Sequence, residues 1–281
     1  MRTQPLVSIC IPTYNGADFI AQAMDSVLAQ TYANLEIVVS DDSSKDNTLK
    51  IIESYKSKTN LPIHIVDHEP KGIGANWNNC IRLAQGQYIK FLFQDDILLP
   101  ECVEKMVEVL ENYPNISLVA VKRNLIFEES VLKEERSRWI DVYGDLQKSL
   151  NLRSNGHGIS FLDRGLFKSF RFFNAPLNKI GEPTTVLIRK NIFNKVGIFR
   201  EDLKQILDYE FYYRVLKHQN ILILNEKQVK FRIHANQASF INNTSVMDED
   251  QVYFRNEIYK QFPLQLPKKK LYSYYFNKFR K

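Results

Sequence analysis

Two apolar runs each end in a pair of aspartates, and that arrangement limits the folds open to this chain. The run Leu35-Glu-Ile-Val-Val-Ser40 leads into Asp41-Asp42, and Tyr88-Ile-Lys-Phe-Leu-Phe93 leads past Gln94 into Asp95-Asp96. Both runs are rich in β-branched and aromatic residues and read as buried strands. Strands alternate with helical patterns through the first half, which argues for an α/β fold with a mostly parallel sheet. In such a sheet the carboxyl ends of neighbouring strands form the crevice where ligands bind. Four carboxylates gathered there repel one another unless a cation or hydrogen-bond donors offset the charge. The arrangement suits a divalent cation and a nucleotide.

The spacing predicts strands over residues 7–12, 35–40, 63–67, 88–93 and 117–121. Between them, a stripe through Phe19, Ile20, Ala23, Met24, Val27 and Leu28 predicts a helix. Further helices are predicted over 46–55, 75–84 and from Pro100 to about Tyr113, where proline suits the first turn. Beyond residue 122 the pattern loosens. Residues 128–138 read as a charged, solvent-facing excursion and 151–158 as a loop. Strands follow over 184–189, 221–224 and 229–233, with a helix over 205–218. The expected organisation is one domain over 1–240, with a nucleotide-binding half (1–122) and an acceptor-side half (123–240), then a helical extension over 241–281.

Several classes of protein are excluded by composition. No apolar stretch of the 281-residue chain approaches the roughly 20 residues needed to cross a bilayer. The start, Met1-Arg-Thr-Gln-Pro-Leu6, has no apolar signal region. Cys10, Cys80 and Cys102 are too scattered for a disulfide framework or a zinc site, so they read as reduced core thiols. The net charge of +6 comes wholly from residues 263–281, which hold six basic residues and no acid. No basic stripe crosses the body of the chain, so nucleic acid is not an expected partner.

The motifs carry a resemblance. Val7-Ser-Ile-Cys-Ile-Pro-Thr-Tyr-Asn15, Ser26-Val-Leu-Ala-Gln-Thr-Tyr32, and Glu36-Ile-Val-Val-Ser-Asp-Asp-Ser-Ser-Lys-Asp-Asn-Thr48 resemble family 2 glycosyltransferases, as does the stretch from Gly86 to Pro100. The match is dense over about 5–122 and patchier to about 240. It implies the GT-A (Rossmann-like) fold and an inverting transfer of sugar from a nucleotide-diphosphate donor, expected to be UDP-linked. The acceptor implied is a hydroxyl of a glycan or lipid-linked saccharide, in cell-surface polysaccharide synthesis.

The resemblance assigns roles residue by residue. Pro12, Thr13, Tyr14, Asn15, Asp41 and Asp42 are expected to hold the nucleoside; a carboxylate accepts well from a uracil N–H. Asn76, Asn78, Gln94 and Asp95 are expected beside the donor, although Trp77 stands where the family usually has arginine. Asp95 and Asp96 match the acidic metal motif, and His234 lies in an Arg-x-His segment that closes over diphosphate and metal in related enzymes. Oxygen-rich ligands at a strand end suit Mg2+ or Mn2+. Phe93 and Gln94 precede the acid pair where many members carry another aspartate. Asp208, in Leu207-Asp-Tyr-Glu210, is expected to be the general base, with Glu210 as the alternate. Glu182 is a further candidate for a sugar hydroxyl.

The tail places Tyr272, Phe276 and Phe279 among lysines at helical spacing, which suits peripheral contact with an anionic membrane surface through 268–281. The expected location is therefore cytoplasmic, on the inner face of the membrane. Two rivals stand beside this reading. A sugar-phosphate nucleotidylyltransferase would want a cationic, glycine-rich loop after the first strand, and residues 12–16 lack one. The alternative with more support is a non-catalytic nucleotide- or glycan-binding relative of the same fold.

Overall fold

The computed structural model describes residues 4–237 together with 249–250, 252–254 and 256–257. The expected helical, membrane-contacting tail over 268–281 lies outside the described residues.

In the first half the chain alternates strand and helix, giving β1 (Val7–Thr13), α1 (Ile20–Leu28), β2 (Leu35–Asp41), α2 (Thr48–Ser54), β3 (Ile63–Asp67), α3 (Ile73–Leu83) and β4 (Tyr88–Phe91). β1 and β2 are buried along their whole length, as continuous apolar runs between two helical layers require. These four strands pair in parallel, β3-β2-β1-β4, with Val7 opposite Leu35 and Tyr88. The second half supplies β5 (Ile97–Leu98), α4 (Cys102–Asn112), β6 (Leu118–Phe127), α5 (Lys133–Tyr143), β7 (Ile159–Leu162), β8 (Val186–Arg189), α6 (Ile192–Val196), α7 (Leu207–Leu216) and β9 (Ile221–Ile233). The sheet continues from β4 through antiparallel β8 to β6, β9 and β5, and β7 pairs with β9. The architecture is the mixed, mostly parallel α/β sheet that the sequence predicts.

Three local differences have physical causes. The strands expected over 221–224 and 229–233 are one strand, β9, because Asn225-Glu226 and then Gln228 bulge while Lys227 still pairs with Lys122, so the ladder to β6 is shifted but not broken. The strand expected over 88–93 leaves the ladder at Phe91; Asp96 N donates to Phe93 O at 3.1 Å and turns the chain. The charged excursion after residue 128 contains α5, on which no residue is buried, so nothing in its pattern marks a core-facing stripe.

Two apolar cores lie on the two faces of the sheet. One, with Ile9, Ile11, Met24, Val39, Leu92 and Met106, sits under α1 and α4. The other, with Trp77, Phe91, Phe199, Phe211 and Tyr213, joins α3 to α7. All three cysteines are free and buried, as expected. α3 and the approach to α7 come unusually close at Gly74, where an added Cβ would stand 2.7 Å from Arg200 O and 2.8 Å from Leu207 Cδ2. That contact brings the turn before Asp208 against the parallel half of the sheet.

Candidate active site

The two acid pairs obey one rule. In each pair one carboxylate is enclosed and the other keeps some access: Asp41 and Asp96 are 0% and 1% exposed, whereas the Asp42 and Asp95 side chains keep 13% and 21%. Asp41, fully buried, accepts from Thr13 Oγ1 at 2.6 Å and from Ser44 N and Oγ at 2.7 Å each. It locks the turn after β2. Asp42 faces outward and pairs with His68 Nδ1 at 2.6 Å, while its own N–H donates to Thr13 O at 2.9 Å. Burial raises the Asp42 carboxyl above the usual range, opposed by the His68 and Asn76 side chains.

Side chains stitch the loop after β1 to the same turn. Asn15 holds φ +46°, a left-handed conformation that Asn tolerates. Its N–H donates to Ser44 Oγ at 2.8 Å, and its Oδ1 accepts from Lys45 N at 2.8 Å. Tyr14 projects outward, 57% exposed, and Gln94 clamps its backbone: Tyr14 N donates to Gln94 Oε1 at 2.9 Å and Gln94 Nε2 donates to Tyr14 O at 3.0 Å. Gln94, standing near the position of an absent aspartate, thus joins the ends of β1 and β4. Asn76 Nδ2 donates to Thr13 O at 3.3 Å, and its buried Oδ1 has no partner. Asn78, expected beside the donor, is instead committed to the fold. Its Nδ2 donates to Phe199 O and Glu201 Oε1 at 2.9 Å each, and its Oδ1 accepts from Phe199 N at 3.0 Å.

At the end of β4 the inward acid is Asp96. Thr184 Oγ1 donates to its Oδ2 at 2.6 Å and Arg232 N to its Oδ1 at 3.0 Å. Burial, then the neighbouring Asp95, pushes the Asp96 carboxyl far up. Expected as a metal ligand, Asp96 has both oxygens engaged and points away from the crevice. Asp95 is the acid a cation can reach. Its side chain is 21% exposed, and its Oδ2 stands 3.0 Å from His234 Nε2. Phe19 packs on the His234 ring at 4.8 Å between centroids, holding the imidazole in place. The Arg232 guanidinium is taken up by Asp95 O at 2.9 Å, Gln22 Oε1 at 2.8 Å and Glu128.

Asp208 sits in the first turn of α7 and shares a cavity of about 200 Å³ with Asp95, Trp77, Phe93, Glu182, Lys204, Gln205 and Gln237. Its Oδ2 accepts from Asn178 Nδ2 at 2.8 Å. Burial raises the Asp208 carboxyl to about 7, reinforced by Glu182 and opposed by nearby backbone N–H groups and Asn178. A carboxylate tuned to that value is a competent proton acceptor near neutral pH. Glu210, the alternate, is spent on Arg214 Nε at 3.0 and 3.1 Å and does not line the cavity. Glu182 pairs with Arg123 Nε at 2.7 Å and lines a second cavity of about 300 Å³ with Lys122, Gln147 and Asn225. A larger open groove of about 600 Å³ beside the start of β4, lined by Arg82, Gln87 and Asn191, contains none of these acids.

Sequence reading missed Asn178, His68, Lys204 and Gln205 as members of the site. His68 lies one residue past β3, a position that strand-end geometry makes findable. Asn178 lies in the irregular 174–182 stretch, where no periodicity signals its direction.

The donor set fits a small divalent cation. One carboxylate oxygen and one imidazole nitrogen face each other at 3.0 Å, donor types that such a cation accepts. Among the described residues no group of three or more His, Cys, Asp or Glu converges.

A mostly parallel sheet with its acids at the strand ends, and helices on both faces, is the GT-A fold of nucleotide-sugar transferases. The chain belongs to glycosyl transferase family 2, whose model matches residues 8–197. An uncharacterized glycosyltransferase of Rickettsia prowazekii is 32% identical over 84% of this chain and 66% of its own length. Chondroitin synthase of Escherichia coli is 30% identical over 80% of this chain and 29% of its own length. The chain therefore spans less than two thirds of these relatives. Among solved structures, S. aureus TarS in complex with UDP-GlcNAc has a TM-score of 0.64 at 19% identity, covering 88% of this chain and 65% of that one. The mannosyltransferase PcManGT of Pyrobaculum calidifontis, in complex with GDP-Man and Mn2+, has a TM-score of 0.63 at 15% identity, covering 92% and 65%. Among the described residues no helix is long and apolar enough to cross a membrane.

Proposed function

We propose that this chain transfers a sugar, with inversion, from a UDP-linked donor to a hydroxyl of a glycan or lipid-linked saccharide in cell-surface polysaccharide synthesis. The observation that carries the reading is the shared cavity of Asp95 and Asp208, with the Asp208 carboxyl raised to about 7. The nucleoside lies at the ends of β1 and β2, where Asp42, the exposed Tyr14 side chain and the unpartnered Asn76 Oδ1 offer complementary groups. UDP is the nucleotide because Asp42 presents an acceptor to a uracil N–H, and the TarS complexes contain UDP and UDP-GlcNAc.

Asp95 and His234 would hold Mg2+ or Mn2+. When bound, the cation offsets negative charge on the departing nucleotide. Asp208 takes the acceptor hydroxyl proton as oxygen attacks the anomeric carbon from the face opposite the diphosphate. Asn178 keeps that carboxylate oriented. Trp77, Phe93 and Pro183 line the cavity with apolar surface that limits competing water.

The test is a screen of nucleotide sugars for release of UDP or GDP, with and without Mn2+ and with glycan acceptors added. The expected result is UDP release that needs metal, rises with acceptor and disappears in Asp208→Asn. UDP release at an equal rate in Asp208→Asn would remove Asp208 as the base. Tight UDP binding with no transfer under any pairing would favour a non-catalytic relative.

A further inference from the structure

The turn that enters α7 is held from a distant part of the chain. The first residue of the helix follows Ile206, which makes no side-chain cap. Instead the Oδ2 of Asp250 accepts from three successive backbone N–H groups, Lys204 at 3.0 Å, Gln205 at 2.7 Å and Ile206 at 3.3 Å. Asp250 is only 5% exposed, so these bonds lie out of competition with solvent. A buried carboxylate without such donors would be costly, and donors without it would be orphaned. Each side of the contact therefore requires the other.

The contact does not stand alone. Phe254, 2% exposed, packs edge-on against Tyr209 at 5.1 Å and lies against Tyr213 and Phe172. Tyr253 receives the Arg200 guanidinium over its ring at 4.4 Å, and Arg200 also pairs with Asp202. Three residues within five positions thus grip both the 200–206 approach and the face of α7. What they hold is the cavity wall itself. Lys204 and Gln205 line it, and Asp208 follows two residues after the last N–H that Asp250 binds.

We propose that Asp250 is a positioning residue for group transfer: its carboxylate fixes the 204–206 turn, and through that turn the placement of Asp208 against Asp95. This rests on Asp208 being the base. It also puts Asp250, Tyr253 and Phe254 within the catalytic unit, although the sequence boundary at 240 and the family match ending at 197 both leave them outside.

The turn carries the effect to the cavity in two ways. Freed of Asp250, the three N–H groups seek water, and the turn opens toward solvent. The cavity then gains water beside Asp208, and the burial that raises its carboxyl weakens. A misplacement of about 1 Å at a reacting group costs on the order of a hundredfold in rate, so a change too small to unfold the helix still reads out in turnover.

The test uses the full chain with Asp250→Ala, Asp250→Asn and, as a packing control, Phe254→Leu. Asn keeps one oxygen that can accept from the turn, so it rescues a merely geometric role. Amide hydrogen exchange at 204–206 should quicken about tenfold or more in Asp250→Ala and much less in Asp250→Asn. With donor and acceptor saturating, kcat should fall about tenfold or more in Asp250→Ala at an unchanged Kd for UDP, and the acid limb of the pH profile should move down. Phe254→Leu should leave that limb in place. Wild-type exchange at 204–206, or wild-type kcat and pH limb in a folded Asp250→Ala, overturns the proposal. If the unmutated chain transfers no sugar, the functional reading fails while the exchange data still report on the Asp250 contact.

Discussion

Asn178 Nδ2 donates to Asp208 Oδ2 at 2.8 Å while its own Oδ1 accepts from Ile180 N and Gly181 N at 3.0 Å each. The amide is fixed by the turn it sits in, so the bond to Asp208 is pre-aimed rather than found on binding. A donor to a carboxylate stabilises its ionised form. Removing it should therefore raise the Asp208 carboxyl further above its present value of about 7. In Asn178→Ala the acid limb of kcat/KM should move up by about one pH unit. Activity at pH 6.5 should fall more than at pH 8.5. An acid limb identical to wild type would show that Asp208 does not set it.

The raised carboxyl has a stability consequence with a definite sign. Below the ordinary aspartate range both folded and unfolded chains carry the proton. Between that range and about 7 the unfolded chain releases it while the folded chain keeps it, so the folded state binds more protons and stability falls as pH rises. Above about 7 the full cost of an ionised, buried Asp208 is present. Asp208→Asn lacks that cost and can still accept from Asn178. At pH 8 the variant should melt several degrees higher, a gain of roughly 1–4 kcal/mol, and at pH 4 the difference should vanish. Its transfer rate should drop about a hundredfold or more. Calorimetry at the two pH values checks the first part; a variant that melts lower at pH 8 contradicts it.

If the proposed cation binds as described, Asp95 and Asp96 should affect it differently. Asp95 is partly exposed beside His234, whereas Asp96 is enclosed by Thr184 and the backbone of Arg232. His234→Ala and Asp95→Asn should each raise the Mn2+ concentration for half-maximal activity about tenfold or more, with little change in melting temperature. Asp96→Ala should instead lose about 2–4 kcal/mol of stability, because it orphans the Thr184 hydroxyl and the Arg232 N–H. Metal titrations beside thermal melts separate the two classes. A folded, stable Asp96→Ala that needs about tenfold more Mn2+ for half-maximal activity would reverse the assignment.

Much of this was legible from residue patterns, and the limits of legibility are physical. β1, β2 and β4 stand out because buried parallel strands need near-continuous apolar runs, and acid pairs follow the second and fourth; β3, at the sheet edge, has no buried residue. Which acid of a pair is enclosed is not written in the pair; for Asp95 and Asp96 it depends on the turn after β4, closed by Asp96 N on Phe93 O, and on the partners Thr184 and Arg232 from distant segments. Asn78 reads like its neighbour Asn76, yet helical phase turns it toward Phe199 and away from any ligand. Asp208 was accessible through its motif, but its tuning depends on Asn178 and Glu182, brought in from a stretch without periodicity. Asp250 is harder still, since a contact across more than forty residues leaves no local signature.

Gly74 offers a test of how tightly α7, which carries Asp208, is seated. It lies inside α3, where alanine would gain about 1 kcal/mol of helix propensity over glycine. A solvent-facing position would therefore be stabilised by the change. Here the new methyl group would meet Arg200 O at 2.7 Å, Leu207 Cδ2 at 2.8 Å and Glu201 Cα at 3.0 Å. Leu207 Cδ2 can rotate aside, but Asn78 anchors the adjoining backbone through Phe199 N and O and also holds the Glu201 side chain, so the 200–201 backbone cannot yield freely. Overpacking of this kind costs about 1–3 kcal/mol, which exceeds the propensity gain. Gly74→Ala should thus lower stability by a net 0–2 kcal/mol, about, and push the 200–207 approach outward. Because Asp208 rides on that approach, kcat should fall more than the melting temperature suggests, with UDP affinity unchanged. A variant more stable than wild type, with unaltered kcat, would mean that α3 and the approach to α7 are not in the contact that places the base.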